Sequence, residues 1–287
     1  MHKVQAKTLL NSQNGMNLYR GCTYGCIYCD SRSACYQMNH AFEDIEVKEN
    51  APLLLERALK AKRKRCMIGT GSMSDPYMPL EKELGLTRRC LEIIDRYGYG
   101  GSVITKSDLV LRDLDLIKSI HKKSKFVVQM TLTTANDELC KILEPNVCPT
   151  SRRIEVLQIL EREGIPTVVW LCPFLPYIND DEKNFRALLQ ACVQAKVKGI
   201  LCFGIGLTLR NGNREYFYEK LDQHFPGLKE IYMRKYGNSY MVNSDNHNRL
   251  MRIFEETCRK HHILYKVEDV FQYLQEYPEK FEQLSLF

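Results

Sequence analysis

Apolar residues in this chain fall into short runs, and amphipathic stretches separate the runs in regular alternation. Six runs predict strands over Met16–Leu18, Cys66–Thr70, Ser102–Thr105, Phe126–Thr131, Thr167–Cys172 and Gly199–Phe203. Each is short, apolar and mostly β-branched, the pattern of a parallel strand covered on both faces. Behind them the apolar positions recur at helical spacing, which predicts helices over Pro52–Lys64, Thr87–Tyr97, Leu111–His121, Ser151–Glu163, Asp181–Lys196 and Asn213–His224. The punctuation agrees: Pro52 suits a first turn, Ser151 an N-cap, and Gly164 a helix stop before Ile165-Pro166.

Six βα units in succession imply an all-parallel sheet with right-handed crossovers. They are too few to close an eight-stranded barrel and more than a minimal open sheet needs. The predicted fold class is therefore α/β, a partial (β/α)6 barrel over residues 1–228. Residues 229–287 read as a short C-terminal extension, with a helix over Asn246–Lys260 and an aromatic-rich end, packed on the barrel as a lid or buttress. The chain shows no internal repeat, low-complexity tract or flexible linker.

Composition narrows this only a little. With 287 residues and 44% hydrophobic content the chain can bury a sizeable core. No apolar run approaches the roughly 18 residues of a membrane span. The net charge of +6 permits an anionic substrate or a nucleic acid without requiring one. The densest basic run, Lys60-Ala61-Lys62-Arg63-Lys64-Arg65, closes a predicted helix and reads as a solvated C-terminus that complements the helix dipole. Late in the chain Arg152, Arg153, Arg210, Arg214, Arg234 and Lys235 mix with Tyr216, Tyr218, Tyr232, Tyr236 and Tyr240. These read as helix-face cations and semi-buried rings, with a stacking surface for nucleic acid as the alternative.

The most informative segment is Cys22-Thr23-Tyr24-Gly25-Cys26-Ile27-Tyr28-Cys29, with C-x3-C-x2-C spacing. Three thiolates this close can ligate three irons of a [4Fe–4S] cubane and leave the fourth iron open to bind and activate something. A structural zinc site is the alternative, but zinc usually takes four ligands in paired sets, and no second C-x2-C exists downstream. Cys35 and His40 are irregularly placed for that role. Met1-His2-Lys3 leads directly into polar sequence rather than a secretory signal, and many of the other cysteines, such as Cys172 and Cys202, sit in apolar runs as small hydrophobes. A reducing, cytoplasmic location is expected.

Further signals lie just past the predicted strand ends. They are Gly69-Thr70-Gly71-Ser72-Met73-Ser74-Asp75-Pro76-Tyr77, Thr105-Lys106-Ser107-Asp108, Met130-Thr131-Leu132-Thr133-Thr134 and Cys172-Pro173-Phe174-Leu175-Pro176. Because the cysteine loop follows the first strand, it falls at the C-terminal mouth, where α/β barrels place their active sites.

Together with Leu18-Tyr19-Arg20-Gly21-Cys22, these segments closely resemble the spore photoproduct lyase-like branch of the radical S-adenosylmethionine (SAM) superfamily. The resemblance covers most of the chain. It implies a [4Fe–4S] cluster on Cys22, Cys26 and Cys29, with SAM chelated to its open iron and cleaved by one electron to a 5′-deoxyadenosyl radical that abstracts hydrogen. It also implies SAM contacts at Ser74 and Asp75 for the amino group, Lys106 for the carboxylate, and Thr131 and Thr133 for the ribose. Tyr28 would then pack on adenine. A reductant such as flavodoxin or ferredoxin is the expected partner, for a monomer acting on an unidentified substrate that nucleic acid or a nucleotide could supply.

One position departs from the pattern. The branch implies a hydrogen-donating cysteine where this chain has Ser72, whose O–H bond is too strong for that task. Repair of thymine photoproducts by that route is therefore not expected. Cys172 and Cys202 are the candidate substitute donors. Two other readings stay open. One is an iron–sulfur carrier with Cys35 as fourth ligand, and the other a peptide-modifying enzyme with an auxiliary cluster near Cys140 and Cys148.

Overall fold

A computed structural model of the chain describes residues 1–278 and sets six parallel strands side by side in chain order. They are β1 (Gly15–Met16), β2 (Met67–Thr70), β3 (Gly100–Thr105), β4 (Phe126–Thr131), β5 (Thr167–Trp170) and β6 (Gly199–Leu201). Every residue of β4 is buried, as expected of a strand in mid-sheet with helices outside and a packed interior. The register aligns the strand ends: Thr70 lies beside Val103, Thr105 beside Met130, and Thr131 beside Trp170. One end of the sheet thereby becomes a shared rim. The curved sheet does not close. At its far edge Ile200 donates its N–H to the Leu264 carbonyl at 2.8 Å, which covers what would be an open strand.

Helices α1 (Ala51–Ala61), α2 (Leu86–Arg96), α3 (Leu114–Lys123), α4 (Asp137–Leu143), α5 (Thr150–Arg162), α6 (Glu182–Gln194) and α7 (Asn213–His224) follow the strands. Pro52 lies in the first turn of α1, and Gly164, at φ +71°, ends α5 in the left-handed conformation. Two expectations shift. Helix α3 starts late because Asp108–Asp113 forms a 3-10 turn, capped by the Ser107 hydroxyl, which accepts the Leu109 N–H at 3.2 Å. Ser151 is not an N-cap: Pro149 holds that position, and the Ser151 hydroxyl donates to Asp137 instead.

The chain after 228 is richer than its sequence suggests. It holds α8 (Leu228–Tyr236), α9 (His247–Lys260) and α10 (Val267–Gln275), and a strand, Met241–Asn243, antiparallel to Gly206–Thr208 at the rim. The end of the expected aromatic-rich tail, 279–287, lies outside the described residues. A second small sheet joins His2–Val4, Glu46–Lys48 and Tyr19–Arg20 beside the cysteine loop. Among the described residues no helix is long and apolar enough to cross a membrane.

Candidate active site

A cavity of about 620 Å³ opens at the strand ends, a volume suited to a small-molecule cofactor. Its wall is built first from the loop between β1 and β2. Gly21 turns that loop at φ +90°, and a Cβ there would lie 2.4 Å from the Phe42 carbonyl. The same carbonyl accepts the N–H of Cys22 at 3.1 Å. Cys29 then folds back to donate its N–H to the Cys26 carbonyl at 3.2 Å. The loop is held from outside by Tyr24, whose hydroxyl donates to the Tyr77 carbonyl at 2.8 Å, and by Ile27, whose N–H reaches the Leu143 carbonyl. Cys22, Cys26 and Cys29 are all unpaired and all face the cavity. Burial pushes the Cys22 thiol up to about 12 and the Cys26 thiol higher still.

The donor set fits a three-thiolate cluster better than a zinc site. Cys35, the nearest further cysteine in sequence, is exposed and off the cavity wall, with its sulfur 3.2 Å from the Arg210 guanidinium. Cys140 accepts a hydrogen bond from Arg153, and the Cys148 thiol donates to the Lys106 carbonyl at 3.1 Å, so neither is presented as an auxiliary ligand.

The loop after β2 adds the polar groups. Gly71 sits at φ +101°, and a Cβ there would come 2.2 Å from the Ile104 carbonyl, so the chain passes β3 with no room for a side chain. Asp75 is buried, and its carboxylate accepts from the Tyr77 N–H at 2.8 Å, the Thr105 hydroxyl at 2.8 Å and the Lys106 N–H at 2.7 Å. Burial nonetheless leaves its carboxyl above the usual range. The Ser74 hydroxyl donates to the Gly21 carbonyl, so this residue braces the cysteine loop. Lys106 lines the cavity; burial opposes its charge, but Cys26, Glu144, Asp75 and Cys29 outweigh it and raise its affinity for a proton.

Tyr28 and Thr131 also line the cavity. The Tyr28 hydroxyl donates to Glu144, which pairs with Arg153, and Arg153 donates to the Thr131 carbonyl at 2.9 Å. Thr133 does not reach the site. Its hydroxyl is buried without a hydrogen-bond partner, while its carbonyl accepts from Asn179 and Asn184. The expected alternation fails because β4 stops at Thr131, two residues short. The two candidate donors also separate. Cys172 lines the cavity, whereas the Cys202 sulfur lies off the cavity wall, 3.9 Å from that of Met251 in α9.

At the outer rim the sequence points to Arg210 and Tyr240 only within a wider set of late cations and rings, and gives no sign of Trp170, Phe203, Met241 or Asn243. Trp170 and Phe203 stack there with ring centroids 5.6 Å apart, and Phe203 is 51% exposed. Opposite them, from the strand pair near the C-terminus, come Tyr240, Met241 and Asn243. The Arg210 guanidinium donates to the Tyr240 hydroxyl at 2.8 Å and lies 3.5 Å from Asp30. These residues meet only through pairing across the chain, which no local pattern signals. Most of the late cations are otherwise engaged. Arg153 is core, Arg214 donates to the carbonyls of Leu209, Gly237, Asn238 and Ser239, and Arg152 pairs with Asp108 and Glu155. Tyr232 is fully buried. Arg210 and Tyr240 alone of that set line the cavity.

Comparison with known proteins gives the family and the fold. The family model described as the radical SAM superfamily matches residues 16–189. An uncharacterized protein of Methanocaldococcus jannaschii is 36% identical over 188 residues, covering 63% of this chain and 70% of that one. One from Mycobacterium tuberculosis (strain H37Rv) is 26% identical over 247 residues, covering 82% and 71%. Among solved structures, spore photoproduct lyase complexed with dinucleoside spore photoproduct superimposes with a TM-score of 0.59 at 15% identity, over 85% of this chain and 71% of that one. A double mutant of the same lyase with bound AdoMet and dinucleoside spore photoproduct gives 0.59 at 15% identity, over 85% and 72%. At that identity the likeness is one of fold.

Proposed function

The chain belongs to the radical SAM superfamily, and from that premise we propose that the cavity holds a [4Fe–4S] cluster on Cys22, Cys26 and Cys29 with SAM beside it. Reduced by an external donor, such a cluster would supply one electron to SAM, whose sulfonium–C5′ bond would break to give methionine and a 5′-deoxyadenosyl radical able to abstract hydrogen from an unreactive C–H bond. The observation that carries this reading is the convergence on one cavity of three unpaired thiols with Asp75, Lys106 and Thr131 from successive strand ends. A carrier protein has no use for those polar groups.

The residues divide the work by charge and reach. Lys106, held protonated, is the partner for the SAM carboxylate. Asp75 already has three donors, so its main work is to lock the β2 loop to the end of β3, with the one remaining lone pair, on Oδ2, available to an ammonium group. Thr131 offers a hydroxyl to the ribose, and Tyr28 presents its ring while Glu144 fixes its hydroxyl. Cys172 is the hydrogen donor of choice: it faces the cavity, and burial pushes its thiol up to about 12, so it keeps its S–H at neutral pH. Trp170, Phe203 and Tyr240 with Arg210 form a rim of rings and one cation, suited to a planar, anionic substrate such as a nucleotide or nucleic acid. Reconstitution with iron and sulfide under argon, then dithionite and SAM, tests the assignment. 5′-Deoxyadenosine is expected from the parent chain and not from Cys26→Ala, and its absence from both, with SAM and each candidate substrate present, would refute the proposal.

A further inference from the structure

Away from the cavity, His2, His40 and Glu46 bring three ligand atoms within 4.8 Å of one another. The topology explains how. His2 and Glu46 are register partners on adjacent parallel strands, and His40 lies on the segment that returns from the cysteine loop to the second of them. The Nδ1 of His2 faces the Asp44 carboxylate at 2.9 Å, and the Nδ1 of His40 faces the Ala41 carbonyl at 3.0 Å. Both partners can only accept, so each Nδ1 donates, and in the neutral ring Nε2 keeps its lone pair, the arrangement that supports metal-ligating histidines. In His40 that Nε2 is buried and has no hydrogen-bond partner, and Glu46 stands 3.9 Å away, beyond hydrogen-bond reach. A buried acceptor without a donor is unfavourable unless a cation takes its lone pair.

We propose that His2, His40 and Glu46 form a second metal site that binds a divalent transition ion such as zinc. Two imidazoles and one carboxylate match borderline ions and do not match calcium or magnesium, which take oxygen sets. The ion ties three separate pieces of chain together at the base of the cysteine loop. Phe42, between His40 and Glu46, carries the carbonyl that holds the Cys22 N–H. The site is thus a brace for the loop, independent of what the cavity binds.

The test uses the untagged chain with its cluster loaded, dialysed against micromolar zinc, with iron and zinc counted per chain. The expected result is one zinc beyond an unchanged iron content, with zinc raising the thermal midpoint as ligand linkage requires. His2→Gln, on a part-exposed strand, and Glu46→Gln lose that zinc and its thermal shift, and Asp44→Asn weakens zinc binding by about 10–100-fold. Absence of the extra zinc, its retention in both variants, or iron falling as zinc rises would each overturn the proposal. None of these outcomes depends on SAM cleavage.

Discussion

Glu144 and Arg153 form an ion pair with no exposed surface on either side chain, and it joins the cysteine loop to the end of β4. The Tyr28 hydroxyl donates to one partner, and the other donates to the Thr131 and Cys148 carbonyls at 2.9 and 3.0 Å. A charged pair this deep stabilises little by itself, because desolvation offsets its attraction, but removing one partner strands the other. Arg153→Met should therefore lower the stability of the cluster-free chain by about 3–5 kcal/mol, and Glu144→Leu added to it should restore much of that. Urea midpoints of the single and double variants decide it; equal loss in both would show that packing rather than charge governs the position.

The same pair sets an acid limit. Burial pushes the Glu144 carboxyl up, yet Arg153, Lys106 and the hydrogen bonds from Arg153 and Tyr28 hold it below its ordinary value. A depressed carboxyl adds stability above its unfolded value, about 4.3, and loses it as pH falls through the lower folded value. Thermal midpoints between pH 3 and 6 should fall steeply below about pH 4 for the parent. They should fall less steeply for Glu144→Gln, and parallel profiles would exclude this carboxyl as the cause.

Lys106 offers the test that separates the cofactor from the cluster. Lys106→Met should keep a full iron content while SAM affinity drops by roughly tenfold or more, since a hydrogen bond to a charged group contributes about 1.5–3 kcal/mol. Equilibrium dialysis with labelled SAM measures this, and unchanged affinity would remove Lys106 from the site.

Gly71 is a backbone counterpart. Any Cβ meets the Ile104 carbonyl at 2.2 Å, so Gly71→Ala must displace the loop that carries Ser74 and Asp75. Weaker SAM binding with cluster content retained is the expected outcome in the same dialysis. A variant that binds SAM normally would mean that this loop is not a cofactor contact.

Cys172 and Cys202 should behave differently once a substrate is found. Cys172→Ala should still release 5′-deoxyadenosine but fail to complete turnover, whereas Cys202→Ala, altered away from the cavity, should complete it. Full turnover by Cys172→Ala would eliminate it as donor.

How legible all this was in the sequence follows from how local each signal is. The six strands were readable because each is an apolar run bounded by polar turns, and β4 matches its predicted limits, Phe126–Thr131. The cysteine loop is legible from its own C-x3-C-x2-C spacing, while the strand ends mark only the places of Asp75, Lys106 and Thr131, whose roles come from the family resemblance. Thr133 was misplaced because period-two reasoning ran past the last strand residue. Helix α8, Leu228–Tyr236, escaped notice because it buries only Tyr232 and so shows almost no apolar stripe. The strand pair of Gly206–Thr208 with Met241–Asn243, and with it Tyr240 and Arg210 at the rim, depends on pairing between distant segments. The Glu144–Arg153 pair was invisible for a similar reason: charged residues are rarely buried, and only their mutual contact makes it possible here.

Three thiolates on a [4Fe–4S] cluster would leave one iron open for SAM to fill. Electron paramagnetic resonance of the reconstituted, dithionite-reduced chain, recorded before and after SAM is added, tests it most directly. A reduced [4Fe–4S] signal that changes on adding SAM, persists in Cys35→Ala and is absent from Cys26→Ala is the predicted result. A signal indifferent to SAM and lost in Cys35→Ala would contradict it and establish a four-thiolate carrier instead.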